Sequence, residues 1–188
     1  MEIATKISPE EYLRREARSD QKHEYNNGEI RAMAGAQLPH NQIVSNLIFL
    51  LNRCLWESHC QVLPSDMLLK LPEACNRFTY PDLMLVCGTP KLDKRAGIDV
   101  LLNPTVVIEV LSETSRSDDT DSKKDCYLAL ASLRQYVLVD SQSVHLSSYT
   151  RQNSHDWTFR QWHQGSEKVR IHECEISIAE VYRNVEEV

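Results

Sequence analysis

The stretch that decides the fold is TVVIEVL, residues 105–111, a nearly continuous run of β-branched and apolar side chains. Such a run is typical of a central strand covered on both faces, because a half-exposed strand alternates apolar and polar residues. Glu109 interrupts the run where the sheet is expected to be densest. Burying a carboxylate is costly unless the charge is paired, so the stretch predicts both a central sheet and an acid with a specific role.

A second acid stands in a neighbouring strand candidate, YPDLMLV, residues 80–86. Asp82 is unusual there, since carboxylates are depleted from strands and costly to bury. Two acids in neighbouring central strands suggest a shared cation. Asp and Glu oxygens are natural ligands of Mg²⁺, which one or two carboxylates and substrate phosphates usually hold. The pair of Asp82 and Glu109 therefore indicates the outline of a phosphoryl-transfer site.

The helix predicted at residues 119–132 is expected to place a lysine near the two acids. On a helical projection of this segment Lys123 falls on the apolar face, whereas Lys124 is turned by about 100° toward its edge. A lysine aimed at the sheet needs a partner, since buried ammonium groups are rare unless paired. Asp119, one turn earlier, and Glu109, on the sheet, are the candidate partners.

Each of these charges also has an ordinary structural explanation. Asp82 could cap a turn after Pro81, and Glu109 could be a satisfied core carboxylate. Asp119 and Lys123 could form an i,i+4 surface pair worth about 0.2–0.5 kcal/mol. Together these explanations are less attractive, because one domain would then bury two acids and a lysine near the same sheet without using them in catalysis or binding.

Hydrophobic periodicity places the remaining elements around the central run. Helices are predicted at residues 8–18, 41–55 and 119–132, with a last turn near 178–185; strands at 23–25, 29–33, 61–70, 80–86, 105–111, 135–140, 143–150 and 157–162; and a polar loop at 89–97. The Asn27-Gly28 step between the first two strands predicts a hairpin. The order helix, three strands, helix, strand is that of an α/β sandwich with additional C-terminal strands. We expect residues 1–188 to form one domain, because a single core can reach this size.

Composition and missing motifs exclude several classes of protein. Hydrophobic residues make up 41 % and charged residues 26 % of the chain, which is the balance of a globular protein. No stretch reaches the roughly 18 apolar residues of a membrane span, and the first residues lack the apolar run of a secretion signal, so a cytoplasmic protein is expected. The absence of a Gly-rich phosphate loop, a Gly-x-Ser-x-Gly elbow and a His-Glu-x-x-His motif disfavours NTPases, serine hydrolases and zinc peptidases.

The six cysteines have wide and irregular spacing. Together with the absence of an export signal, this spacing favours reduced, mostly buried thiols over disulfides. No Cys-x-x-Cys pair or short Cys/His cluster has the spacing of zinc ligands, so a structural zinc is not expected.

The formal net charge of -6 is awkward for a protein that binds nucleic acid, because Lys and Arg dominate phosphate binding. A local basic patch matters more than the total charge. The basic clusters in the sequence are Lys91, Lys94 and Arg95, and Arg14, Arg15, Arg18 and Lys22. A solvated surface is favoured over a DNA contact for both.

A set of short motifs extends through the chain in a specific order. They are His23-Glu24-Tyr25 with Gly28-Glu29-Ile30, Met33-Ala34-Gly35, His40-Asn41, Ser65-Asp66-Met67, Tyr80-Pro81-Asp82, Val107-Ile108-Glu109-Val110-Leu111-Ser112, Asp119 with Lys123 and Tyr127, and SLRQYVLVD at residues 132–140. In these motifs the chain resembles the PD-(D/E)XK nuclease superfamily, and within it the Uma-two (Uma2) family of restriction-endonuclease-like proteins. The resemblance covers almost the whole chain and implies a mixed central β-sheet flanked by helices, αβββαβ.

The resemblance also implies a metal site. Asp82, Glu109 and the main-chain carbonyl of Val110 would hold Mg²⁺, with Mn²⁺ as a possible substitute, beside a lysine near the attacking water. The usual Glu-x-Lys pattern would place that lysine at Leu111, on the same face of the strand as the acid. Uma-two relatives supply it from the next helix instead, and Lys123 matches that position.

Three further residues have supporting roles in this comparison. Glu24 fits a family position where an acid supports the metal through water, although a surface charge on the hairpin is as good an explanation. His40 matches a family histidine that could contact a phosphate near a helix N-terminus, with a cap or packing role as the alternative. Asp119 could hold Lys123 in place.

The function expected from these observations is a Mg²⁺-dependent endodeoxyribonuclease. DNA is the expected partner, no membrane is involved, and a homodimer is expected because cutting a duplex needs two cuts. The alternative is a nuclease-fold module that binds nucleic acid or regulates without useful activity. The net charge of -6 and the lack of an obvious DNA-reading domain favour that alternative.

Overall fold

The run that decides the fold is strand β9 (Val106–Leu111), and every side chain in it is buried. β9 lies parallel to β10 (Gln135–Asp140) and antiparallel to β6 (Leu83–Cys87). The outer strands are β3 (Cys60–Pro64), β11 (Leu146–Arg151) and β12 (Trp157–Trp162). The sheet order is β12-β11-β10-β9-β6-β3, so β9 is central as its composition predicts. The structure is a computed structural model that describes residues 6–95, 97–112 and 122–185.

Alternate side chains of β9 face two different helices. Ile108 packs in one core cluster with the buried face of α2 (Leu38–Leu55). Leu111 packs in another cluster with Tyr127 of α3 (Ser122–Leu128). Because side chains alternate along a strand, the acid of the run is on the α3 side of the sheet.

A second sheet supports this core. It contains β1 (His23–Asn26), β2 (Glu29–Ala32), β4 (Leu68–Lys70), β5 (Arg77–Thr79), β7 (Leu92–Arg95) and β8 (Ile98–Leu101). Its order is β2-β1-β5-β4-β8-β7. Helix α1 (Pro9–Glu16) covers it, since Tyr12 and Leu13 are buried in a cluster with Tyr25 and Phe78.

The order of the core elements, α2-β3-β6-β9-α3-β10, confirms the predicted αβββαβ arrangement, and β11 and β12 are the additional C-terminal strands. The predicted hairpin at the Asn-Gly step is also confirmed, because Asn27 and Gly28 have φ of 50° and 95° and β1 pairs antiparallel with β2. The predicted last helical turn is α4 (Ile178–Val181).

Two predicted strands have different boundaries in the structure. The strand predicted at 61–70 is two strands in different sheets, because β3 ends at Pro64 and a turn separates it from β4. The strand predicted at 80–86 begins only at Leu83. Asp82 therefore precedes a strand and does not lie inside one.

Two hairpins were missed. The loop predicted at 89–97 contains β7 and leads into β8, with which it pairs. The C-terminal hairpin pairs β13 (Lys168–Ile171) with β14 (Cys174–Ser177). The burial of β13 alternates strictly, as the sequence Lys-Val-Arg-Ile suggests, so its period-2 pattern was a usable signal.

Helix boundaries differ by a few residues from the predictions. α2 begins at Leu38, before the predicted residue 41, with Pro39 in its first turn. α3 ends at Leu128, and residues 119–121 of the prediction lie outside the described residues. Among the helices of the described residues, none has the length and apolar character that crossing a membrane requires.

The expectation of reduced cysteines is wrong in this structure. Disulfides join Cys54 to Cys174, Cys60 to Cys87 and Cys75 to Cys126. The spacing of the cysteines in the sequence did not reveal these disulfides, because each one joins segments that are distant in the chain. α2 lies against β14, β3 pairs with β6, and a 3₁₀ turn (Glu73–Cys75) lies against α3.

We expect Gly28→Ala to lower the free energy of unfolding by about 1–2 kcal/mol. Its φ of +95° strains any residue with a side chain, and an added Cβ would lie 2.7 Å from Cβ of Lys6. Gly35→Ala is the matched control, because no atom lies within 4 Å of its added Cβ. Urea unfolding of both variants measures the difference, and equal stability would contradict the hairpin geometry.

Candidate active site

The register between β6 and β9 brings the two predicted acids together. Leu83 is opposite Ile108, so the next pair in the same register is Asp82 and Glu109. Residues directly opposite each other in an antiparallel pair are close and share a face of the sheet. The backbone N–H of Asp82 donates to Oε2 of Glu109 at 3.2 Å, and the N–H of Val110 donates to Oδ2 of Asp82 at 2.8 Å. The carboxylate of each acid thus accepts a hydrogen bond from the backbone of the segment that carries the other acid.

Helix α3 supplies two more partners for Glu109, whose side chain is only 4 % exposed. The Tyr127 hydroxyl donates to Oε1 of Glu109 at 2.6 Å, and Nζ of Lys123 lies 3.5 Å from the same oxygen. Lys123 and Tyr127 are one helical turn apart on the buried face. The helical projection therefore placed Lys123 correctly, and Lys124 lies toward the surface with Nζ 3.7 Å from Oδ1 of Asp125.

Glu24 of β1 brings the second sheet into the site. Nζ of Lys123 lies 2.9 Å from Oε1 of Glu24, closer than it lies to Glu109. The hydroxyl of Thr79 donates to the same oxygen, and a guanidinium nitrogen of Arg77 lies 3.8 Å from Oε2. Glu24, with a side chain 14 % exposed, is therefore a mostly buried partner of Lys123 and not a surface charge on the hairpin.

His40 lies in the first turn of α2, and its Nε2 is 3.1 Å from Oδ2 of Asp82. Both side chains are mostly buried, at 13 % and 18 % exposure. His40 therefore contacts an acid of the site. It does not cap the helix, because the N-cap residue is Gln37.

The side chains of Glu24, His40, Asp82, Glu109 and Lys123 line one cavity of about 270 Å³. It is lined by Glu24, Arg31, Ala32, Met33, Ala34, Gly35, Ala36, His40, Tyr80, Asp82, Glu109, Val110, Ser112 and Lys123. The N–H and C=O groups of a strand residue point to the same side, so the carbonyl of Val110 faces Asp82, to which its N–H donates. The predicted acids, the lysine and the Val110 main chain therefore converge on a single space.

The prediction for Asp119 lies outside the described residues. Among the described residues, Glu24 and Glu109 are the acids beside Lys123.

Two tyrosines were missed as functional candidates. Tyr127 belongs to the motif with Asp119 and Lys123 but was given no role, although a buried tyrosine hydroxyl needs a hydrogen-bond partner. Tyr80 lines the cavity, and its hydroxyl donates to Oε1 of Glu16 at 2.9 Å. Burial raises the pKa of Tyr80 above its ordinary value and the charge of Glu16 raises it further, so the hydroxyl stays protonated and links α1 to the cavity wall.

The donor atoms that face the cavity are those that a hard divalent cation prefers. The carboxylates of Asp82 and Glu109 and the carbonyl of Val110 offer only oxygen, which suits Mg²⁺ or Mn²⁺. The Lys123 ammonium beside them is a hydrogen-bond donor and cannot be a ligand. The arrangement combines a possible cation site with one fixed positive charge.

Comparison with known proteins identifies the family of this chain. The family model named Uma2, described as "Putative restriction endonuclease", matches residues 9–178. The chain belongs to the Uma2 family. Two proteins of Synechocystis sp. are similar to it: slr1290 is 32 % identical over 174 residues, covering 93 % of this chain and 89 % of the relative, and sll1609 is 31 % identical over 151 residues, covering 80 % and 84 %.

A solved structure has a similar fold. The crystal structure of a protein from Anabaena variabilis, titled a "putative nuclease belonging to DUF820", matches with a TM-score of 0.73 and 18 % sequence identity. The match covers 94 % of this chain and 97 % of that chain. At this identity the likeness establishes the fold, while the family assignment supports a nuclease.

We expect Lys123→Met to lower the free energy of unfolding by about 3 kcal/mol, because it leaves the carboxylates of Glu24 and Glu109 buried without their shared cation. Lys124→Met is the control on the same helix, and its effect should stay within about 0.5 kcal/mol because that amine lies nearer the solvent. Chemical denaturation at neutral pH compares them. Equal stability of the two variants would show that Lys123 does not bridge the acids.

Proposed function

We propose that this Uma2 protein is a Mg²⁺-dependent endonuclease that hydrolyses phosphodiester bonds of DNA. The observation that carries the proposal is the convergence of Asp82, Glu109 and Lys123 on one cavity. Family membership supports a nuclease. The metal and the DNA substrate are inferred from the chemistry of the side chains.

Asp82 and Glu109 would hold the cation together with the carbonyl of Val110. Their fit is supported by the all-oxygen donor set and by the hydrogen bonds that fix both carboxylates across β6 and β9. When bound, Mg²⁺ neutralises phosphate charge and lowers the pKa of a coordinated water, so that hydroxide is available near neutral pH. The protein's own contribution is to orient both carboxylates before substrate arrives.

Lys123 would stabilise the charge that develops on the phosphate or orient the attacking water. Its ammonium is held between Glu24 and Glu109, at 2.9 Å and 3.5 Å, on a helix that packs against the sheet. Held at two points, the amine does not reorganise during the reaction, and this is the condition under which such a charge is most effective.

Three surrounding residues would position these groups. Tyr127 fixes Oε1 of Glu109, His40 fixes Oδ2 of Asp82, and Glu24 fixes the amine of Lys123. Losing a hydrogen bond that orients a metal ligand typically costs 10–100-fold in metal affinity or activity.

We expect purified protein to nick supercoiled plasmid DNA when Mg²⁺ or Mn²⁺ is added, and EDTA to abolish the reaction. Glu109→Gln and Asp82→Asn should each lower the rate on the order of 10²–10³-fold, because they remove charge without changing shape. Asp125→Asn is the matched control: its carboxylate is on α3 but 80 % exposed, so its activity should equal that of the wild type. Gel densitometry over time gives the rates.

Two outcomes would contradict the proposal. Nicking that persists in EDTA and in Glu109→Gln would come from a contaminant. No cleavage of any DNA or RNA, with Mn²⁺ binding still detected by electron paramagnetic resonance and lost in Glu109→Gln, would favour the alternative, a nuclease-fold module that binds nucleic acid without cutting it. The net charge of -6 is the observation that favours this alternative.

The proposed active form is a homodimer, because cutting both strands of a duplex needs two sites. The outer face of α2 carries Leu38 and Phe49, and Trp56 continues the helical geometry directly after its last residue. These side chains are 74 %, 62 % and 82 % exposed. Their spacings of 11 and 7 residues place them on one stripe of the helix. A stripe of exposed large apolar side chains is typical of an interaction surface and supports pairing of two copies.

We expect Phe49→Glu to convert a dimer to a monomer in sedimentation velocity, because a charge at the centre of the stripe would have to be buried. Gln152→Glu, in the turn between β11 and β12, changes an exposed polar residue outside α2 and serves as the control. A wild type that sediments as a monomer at all concentrations would exclude pairing through α2.

A further inference from the structure

A second cluster of metal-ligating side chains lies on the strand pair β3–β6. Cys60 is directly opposite Cys87, with their Cα atoms 3.9 Å apart. The backbone hydrogen bond from Gly88 N to His59 O belongs to the adjacent pair, so the two cysteines occupy a narrow, non-hydrogen-bonded position of the ladder. Their sulfur atoms therefore point to the same face of the sheet and form a disulfide.

The turn between β13 and β14 places the imidazole of His172 beside the disulfide of Cys60 and Cys87. Nε2 of His172 lies 3.4 Å from Sγ of Cys87. The backbone N–H of His172 donates to Oε1 of Gln135 at 2.8 Å, and Nε2 of that glutamine donates to the carbonyl of Arg170 at 2.8 Å. Gln135 is 5 % exposed, so a buried amide on β10 fixes the turn and with it the position of the imidazole.

The ligand atoms of Cys60, Cys87 and His172 all lie within 4.8 Å of one another, and within the described residues no other such group of three is found. In a tetrahedral zinc site, bond lengths near 2.0–2.3 Å separate neighbouring ligand atoms by roughly 3.5–3.8 Å. The cluster therefore needs little movement to surround one ion once the sulfur–sulfur bond is open.

We propose that reduction of the Cys60–Cys87 disulfide creates a Zn²⁺ site made by the two thiolates and Nε2 of His172. A dithiol reductant supplies two electrons and two protons: the sulfur–sulfur bond breaks, two thiols form, and the dithiol becomes a disulfide. Zn²⁺ then displaces the two thiol protons and accepts both thiolates and the imidazole. Sulfur and imidazole ligands select Zn²⁺ over the hard cations that suit the active site.

A metal ion can reach the three ligands from solvent, and they leave its fourth coordination position open. His172 lines a cavity of about 410 Å³ whose wall shares no residue with that of the active-site cavity. Cys60, Cys87 and His172 are each partly exposed, so an ion reaches them from solvent. A water or the carboxylate of Glu173, whose Oε1 lies 3.9 Å from Nε2 of His172, completes four-coordination.

Cobalt binding tests this site. Protein is reduced with a phosphine, which with one water becomes the phosphine oxide and leaves two thiols, and is then titrated with Co²⁺ as a spectroscopic substitute for Zn²⁺. The reduced wild type should bind one Co²⁺ with a thiolate-to-metal absorption band, and excess Zn²⁺ should remove that band. His172→Asn should weaken binding at least tenfold; asparagine suits the positive φ of 53° at this position and so preserves the turn.

Controls separate ligand loss from general effects. His155→Asn removes an exposed histidine from another turn and should leave binding unchanged. Cys60→Ser should abolish the band. A band that is unchanged in His172→Asn, or no band in the reduced wild type, would overturn the proposal.

A second measurement needs no variant. Zn²⁺ added to the reduced wild type should slow alkylation of Cys60 and Cys87 at least tenfold, as mapped by mass spectrometry of peptides. Cys75 and Cys126 in the same molecule are the internal control and should alkylate at the same rate with and without Zn²⁺. Equal rates for Cys60 and Cys87 with and without the ion would contradict the site.

Discussion

The carboxylate of Glu109 is buried in the central strand, and such a charge is tolerated only when its oxygens are satisfied. Three groups meet this requirement: the backbone N–H of Asp82, the hydroxyl of Tyr127 and the ammonium of Lys123. They come from the residue directly before β6 and from α3, so the acid fixes the position of both segments relative to β9. The geometry of the candidate active site follows from satisfying this one charge.

Lys123 connects the two sheets. Its ammonium contacts Glu109 on the central sheet and Glu24 on the second one. A lysine at position 111 would reach the same acid from the strand itself, but Leu111 packs there in the core cluster beneath α3. Supplying the amine from the helix leaves the strand fully apolar around its single acid, and it makes the second sheet part of the site.

The central sheet and the location of Lys123 were predictable because they rest on local sequence patterns. β9 and β10 are largely apolar, and the buried face of α3 follows from the helical repeat. The partners of these residues were not predictable in the same way. Glu24 reaches Lys123, and the cysteines reach one another, only through pairing of distant segments. The second sheet was missed because its strands are short and a turn at residues 65–67 divides the stretch 61–70, which was predicted as one strand.

The most direct test of this account is a crystal structure of the protein soaked in Mn²⁺, with the anomalous signal used to locate the ion. The account predicts a peak in the active-site cavity about 2.0–2.3 Å from carboxylate oxygens of Asp82 and Glu109 and from the carbonyl of Val110. No peak in that cavity at saturating Mn²⁺, or an ion bound there without either carboxylate, would contradict it.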